Sequence, residues 1–180
     1  MPSVPRGTWA DLSDADLLAQ CAVDTYRASG PGGQKRNKTS SAVRLRHAPT
    51  GVLVIAEESR SQHENKAKAL KRVRRALYLE LRDPVPADAQ TPGGLAAHPA
   101  VVPALGEGRL AVGPKHPAFW PAAGVVLDAL AAAGFRVSTA AGWLGVSTGN
   151  LVEFAEADPA VWQAVNRGRI QCGLKSLKPS

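Results

Sequence analysis

A chain of 180 residues with 44% hydrophobic residues can bury one medium core or two small ones, so it is globular. No apolar run reaches the roughly 18 residues a bilayer span requires, and no basic stretch followed by an apolar core marks a secretory signal. The expectation is a soluble, cytoplasmic protein, and its net charge of +7 favours an anionic partner.

The charge is concentrated. Residues 1–30 carry two basic and four acidic side chains, residues 31–82 carry thirteen and four, and residues 83–180 carry seven of each. The whole excess therefore lies in one stretch, an electrostatic footprint for nucleic acid or an acidic surface. Cys21 and Cys172 have no metal-ligand spacing and read as small hydrophobes in a reducing compartment. Neither a metal nor a cofactor is implied.

In chain order, residues 1–10 contain proline and are expected to be loose. Ser13-Asp14-Ala15-Asp16 places a cap and acids before Leu17 and Leu18, a short helix start. Val23 to Arg27 alternates and predicts a strand. It feeds Ser29-Gly30-Pro31-Gly32-Gly33-Gln34-Lys35-Arg36-Asn37-Lys38-Thr39, where glycines and a proline exclude helix or strand interior. This predicts an exposed loop with a bare backbone and a cationic flank.

Ala42 to His47 alternates again, with Val43, Leu45 and His47 facing one way and Arg44 and Arg46 the other. Pro49-Thr50-Gly51 is a turn signal and Val52 to Ala56 a β-branched run, so a hairpin with an arginine-bearing face is predicted. His47 is expected to be a satisfied core or edge histidine, not a catalyst. Ser61 and Glu64 have capping-box spacing, and a helix is predicted from there to Asp83-Pro84. Ala67, Leu70, Val73, Leu77 and Leu81 would form its apolar stripe. Lys66, Lys68, Lys71, Arg72, Arg74, Arg75 and Arg82 would cover the rest. So many like charges suit a polyanion better than a merely solvated face.

Residues 83–117 are dense in proline and glycine and predict a linker without a core, able to reach roughly 115 Å if fully extended. From Ala118 the chain turns alanine-rich and helical. Gly134 should end a first helix. Ala141, Gly145 and Ser147 followed by Leu151 have helix-turn-helix spacing, and Asp158-Pro159 should open a last helix. The would-be recognition helix, Ser147 to Glu156, has no Lys or Arg, so a structural or docking module is favoured over a DNA reader. The expected organisation is a domain over 1–82, a linker over 83–117 and a helical module over 118–180, of α+β class.

For the loop, a nucleotide-binding P-loop fails because Asn37 stands where the second glycine belongs and a strand pattern follows in place of a helix. A passive RNA-binding module explains the charge but not two glycines before a glutamine. The sequence from Tyr26 through Gly32-Gly33-Gln34, then Asn37-Lys38, Ser41 to Leu45, His47, Pro49-Thr50-Gly51, and Arg60-Ser61-Gln62-His63 with Asn65-Lys66, resembles the catalytic domain of class I peptide chain release factors. The likeness covers roughly residues 12–82. It implies a small α/β domain that enters the peptidyl transferase centre of the ribosome and triggers hydrolysis of peptidyl-tRNA.

On that resemblance Gly32, Gly33 and Gln34 are the catalytic residues. Gln34 does not titrate near neutrality, so it cannot act as general base or nucleophile. The family implies that the Gln34 backbone N–H steadies the oxyanion while its side chain shapes the water site. Candidates for contact with rRNA or tRNA are Arg27, Lys35, Arg36, Asn37, Lys38 and Arg44, together with Arg60, Gln62, Asn65, Lys66 and Lys68. The partners would be large-subunit rRNA and P-site peptidyl-tRNA, with no membrane and a monomer off the ribosome.

The chain also departs from the family. Thirty-one residues precede Gly32, too few for an arm to the decoding site, which leads to the expectation of codon-independent ribosome rescue. Lys35 stands where the family usually has His, and Arg36 where a small apolar residue is common. The C-terminal tail is only sparsely basic, with Arg167, Arg169, Lys175 and Lys178. The alternative reading is a non-hydrolytic ribosome- or RNA-binding factor.

Overall fold

The computed structural model describes residues 4–26 and 41–179. It is a mixed α and β protein, as expected, and divides into two compact units, Met1–Leu77 and Tyr78–Ser180. The loop carrying Gly32, Gly33 and Gln34 lies outside the described residues, as do Arg27, Lys35, Arg36, Asn37 and Lys38.

The first unit begins with two short helices, α1 (Gly7–Ala10) and α2 (Asp14–Ala19). Ser13 caps α2 as predicted, its hydroxyl accepting from the Asp16 N–H at 3.1 Å. The first ten residues are not loose where described. Ala10 is buried, and its carbonyl accepts from the Arg74 guanidinium, a long-range partner that local composition does not reveal.

Strands β1 (Cys21–Tyr26), β2 (Ala42–His47) and β3 (Leu53–Ala56) form an antiparallel sheet in the order β1-β2-β3. The register pairs Tyr26 with Ala42 at one end of β1 and Cys21 with His47 at the other. Gly51 closes the predicted hairpin turn at φ 74°, a left-handed conformation that glycine adopts without strain. The period-2 alternation holds: Val43, Leu45 and His47 are buried, while Arg46 is exposed on the opposite face.

The long helix α3 (Gln62–Glu80) starts where the capping signal puts it, but by a modified route. The Ser61 hydroxyl accepts from the Glu64 N–H at 3.3 Å. The Glu64 carboxylate does not reach back to the Ser61 N–H. It accepts from the Ser59 hydroxyl at 2.5 Å, and the Ser59 oxygen in turn accepts from the Ser61 N–H at 3.0 Å.

The buried face of α3 consists of Asn65, Ala69, Leu70, Val73, Leu77 and Tyr78. Ala67, predicted to lie on that face, is exposed. The helix also ends three residues short of Asp83. There the Arg82 guanidinium donates to the carbonyls of Tyr78, Leu79 and Leu81, taking acceptors that the end of a helix leaves unsatisfied.

The second unit is built around α4 (Phe119–Ala132), which is apolar apart from Asp128 and buried on nearly all sides, as such a helix must be. Around it run α5 (Val137–Leu144), α6 (Thr148–Glu156) and α7 (Pro159–Gln171). Their boundaries follow the predicted signals. Gly134 adopts φ 59° just beyond α4, Gly145 caps α5 at φ 70°, Ser147 caps α6, and Asp158 with Pro159 opens α7.

Residues 83–117 differ from the expectation of a coreless linker. Leu95, Val101, Ala104 and Leu110 join the core built on α4, and a small hairpin, β4 (Leu105–Gly106) with β5 (Arg109–Leu110), forms within the stretch. Its backbone is also used. The N–H groups of Gly93 and Leu95 each donate at 2.8 Å to the carbonyls of Gly142 and Trp143, the last acceptors of α5. Proline and glycine density removed the periodicity that marks helices and strands, but not the capacity to bury apolar residues and cap a neighbour. The extended reach of about 115 Å therefore does not apply.

Candidate functional site

The predicted loop joins β1 to β2, and the described residues at its two ends are held in one frame. Tyr26, the last residue of β1, is paired across the sheet with Ala42, the first of β2. Its hydroxyl donates to the Glu57 carboxylate at 3.2 Å, and the Arg44 guanidinium lies 5.1 Å from its ring centroid, a cation–π contact. Burial first, and then Glu57, push the Tyr26 phenol pKa upward.

Ser41, at the other end, is held from α3. Asn65 is wholly buried, and its amide nitrogen donates to the Ser41 carbonyl at 2.6 Å and to the Ser59 carbonyl at 2.8 Å. Its amide oxygen accepts from the Ser59 N–H at 3.0 Å. The structure therefore places Asn65 in the interior, with its amide committed inside the unit, and not at a surface where RNA would meet it.

The remaining predicted contact residues lie as follows. Arg60, Gln62 and Lys68 are exposed and Lys66 is half-buried, all at or near the start of α3. Arg44 sits on the solvent face of the sheet, between Tyr26 and Asp24, with Asp24 at 3.5 Å. Leu53 and Ile55 of β3 are exposed and paired with Arg46 and Arg44, so this face is cationic with an apolar border.

The cations of α3 divide into two groups. Arg72 is bound to the Ile55 carbonyl and to Glu58, and its hydrogen bond is the first cause holding the Glu58 carboxyl below its ordinary range. Arg74 is bound to the Ala10 carbonyl and, at 2.8 Å, to Asp14. With Arg82 at the helix end, three of the seven cations expected to form a uniform basic surface hold the fold together. Lys68, Lys71 and Arg75, spaced i, i+3 and i+7, are exposed along one face of α3.

His47 is a core histidine, as expected. Its Nδ1 lies 2.7 Å from the Thr50 hydroxyl and its Nε2 3.2 Å from the Gln20 amide oxygen, and Trp9 packs edge-on to its ring. Burial pushes its pKa down. Among the described residues no group of three or more His, Cys, Asp or Glu is placed to hold a metal. No helix among them is long and apolar enough to cross a membrane.

In the second unit, the helix with recognition-helix spacing is committed elsewhere. Asn150 of α6 is buried. Its amide oxygen accepts from the Leu110 N–H at 2.7 Å and its amide nitrogen donates to the Leu110 carbonyl at 3.2 Å. An asparagine there cannot at the same time read a base edge. Sequence reasoning did not find Ser41, Ser59 and Tyr26 as framing residues. Only the Ser59-Arg60-Ser61 pairing of two cap-forming serines hints at them.

Comparison with known proteins agrees with this local architecture. Residues 16–92 match the family model of the RF-1 domain. Peptide chain release factor 2 of Aromatoleum aromaticum is 52% identical over 82 residues, 45% of this chain and 21% of that protein. Peptide chain release factor 1 of Acidiphilium cryptum is 51% identical over 72 residues, covering 40% and 19% of the two chains. Peptide chain release factor 1 of Rickettsia prowazekii is 55% identical over 71 residues, covering 39% and 19%. The match spans about a fifth of the length of these curated relatives. The sheet, its arginine-bearing face and the basic helix that holds Ser41 thus lie in a stretch, residues 16–92, that matches the RF-1 domain, the GGQ domain of class I peptide chain release factors.

Proposed function

We propose that this chain promotes hydrolysis of the ester bond of P-site peptidyl-tRNA on the ribosome, with Gly32, Gly33 and Gln34 at the reacting centre. The RF-1 domain match over residues 16–92 carries this reading. Gln34 offers hydrogen-bond donors and no titratable group, so the reaction rests on positioning and oxyanion stabilisation, with rRNA and tRNA completing the site. The exposed cations Arg60, Lys68, Lys71 and Arg75 supply phosphate contacts along α3.

The finer reading is that release is independent of the codon in the A site, as in ribosome rescue. The second unit supports it. Its residues 83–180 carry seven basic and seven acidic side chains, and α6 has no Lys or Arg and a buried Asn150, which is not the equipment of a base-reading element.

The test is peptide release from ribosomes carrying labelled peptidyl-tRNA, with a stop codon, a sense codon or no codon in the A site. Release in all three is expected. Gly33→Ala, which restricts the backbone and its close approach, and Gln34→Ala, which removes the side chain that shapes the water site, are each expected to slow it by on the order of a hundredfold, the effect of misplacing a reacting group, with ribosome binding retained. Wild-type release by Gly33→Ala refutes the catalytic assignment. Binding without release by the native chain favours a non-hydrolytic ribosome-binding factor. Release confined to stop codons refutes codon independence alone.

A further inference from the structure

We propose that Asn65 is a positioning residue for release: its amide clips the C-terminal foot of the Gly-Gly-Gln loop to the turn that opens the basic helix. This rests on the release reading above, and it replaces the surface RNA contact that the motif suggests for Asn65.

The geometry is specific. One planar amide makes three hydrogen bonds of 2.6–3.0 Å to backbone groups of two segments, Ser41 and Ser59, that lie 18 residues apart in sequence. Ser41 directly precedes β2, and its carbonyl is the group Asn65 holds from α3. The Ser59 turn is in turn locked to the first turn of α3 through Glu64 and the Ser61 N–H. The clip therefore references the foot of the loop to α3, the element whose exposed cations would meet RNA phosphates. The opposite foot is referenced separately through Tyr26 and Glu57.

The chemistry explains the residue type. The two carbonyls need a donor and the Ser59 N–H needs an acceptor, all within one buried side chain. Asparagine supplies both. Aspartate matches the shape and the acceptor but presents a carboxylate to two carbonyls. Leucine or alanine removes the partner of all three part-buried backbone groups. A surface contact to RNA would not require burial, and a purely apolar role would not require an amide.

The experiment measures single-turnover peptide release across a range of ribosome concentrations for the native chain, Asn65→Ala, Asn65→Asp, and Ser61→Ala. The last weakens the helix cap without touching the clip. Both Asn65 variants are expected to lower the maximal rate by on the order of a hundredfold, the effect of misplacing a reacting group by about 1 Å. The half-saturating ribosome concentration should stay within about twofold, because positioning acts after binding. Hydrogen exchange should speed at the Ser59 amide in Asn65→Ala but not in Ser61→Ala.

Native release rates in both Asn65 variants overturn the positioning role, as does a loss seen only as weaker binding. So does Ser61→Ala, if it loses rate as Asn65→Ala does for the same loss of thermal stability. Unchanged Ser59 exchange in Asn65→Ala overturns the clip itself. If the native chain releases no peptide, the release reading fails and takes this role with it. If the native chain releases peptide while the Asn65 variants match it, only the positioning role fails.

Discussion

Asn150→Ala tests whether residues 83–117 belong to the second unit's core. Asn150 and Leu110 are both buried, and the amide satisfies the Leu110 N–H at 2.7 Å and its carbonyl at 3.2 Å. Truncation leaves two buried backbone groups unpaired, each costing about 1–3 kcal/mol, the longer bond at the low end. Alanine recovers roughly 0.6 kcal/mol through its better helix propensity. The net loss should be about 2–3 kcal/mol, or roughly 10–20 °C in the midpoint of a unit this size. Glu153→Gln is the internal comparison. It breaks the 2.8 Å ion pair to Arg109 that also joins the hairpin to α6, but both side chains are largely exposed, so under about 1 kcal/mol is expected. Urea unfolding followed by tryptophan fluorescence in a Trp9→Phe background reads Trp120, Trp143 and Trp162, all in the second unit. A loss for Asn150→Ala no larger than that for Glu153→Gln would refute the reasoning.

Two further outcomes are expected. At Gly168 an added Cβ would lie 2.0 Å from Cζ of Phe135, whose carbonyl is held by Arg169 at 2.9 Å. Gly168→Ala should therefore cost about 1–3 kcal/mol in the same urea experiment. Part of that should return on adding Phe135→Leu, and an additive double variant would show the clash is not the cause. Burial holds the His47 pKa in the folded chain below its ordinary 6.5. The unfolded chain then binds more protons between the two values, so stability is full above 6.5, falls as pH drops through that window and levels off below the folded value. His47→Gln should flatten that part of the stability profile. A native profile flat between pH about 7 and 5 contradicts the assignment.

Much of the fold was legible because it is written in local chemistry. Ser13, Ser147 and Asp158 cap the helices they were expected to cap, and the alternation over Val43 to His47 placed Val43, Leu45 and His47 on the buried face and Arg46 on the exposed one. What was not legible is non-local. Arg72 and Arg74 look like members of a basic surface until their partners, 14 and more residues away, come into reach. Ala67 and Ala69 are chemically identical, and only the helix phase decides which is buried. Asn65 belongs to a motif that resembles a release factor, and the motif marks it as important without saying that its work is internal. Residues 83–117 were misread because weak periodicity was equated with absence of structure, whereas Gly93 and Leu95 contribute through backbone N–H groups that carry no sequence signature.

Those two N–H groups also fix what can be inherited as a block. Recombination that moved only residues 118–180 to another protein would carry the four helices but take from α5 the donors that Gly93 and Leu95 give to the Gly142 and Trp143 carbonyls, and from Asn150 its partner. It would also leave gaps in the core where Leu95, Val101 and Leu110 sit. The smallest portable piece is therefore the whole unit Tyr78–Ser180, and its proline-rich beginning is cargo that must travel with it.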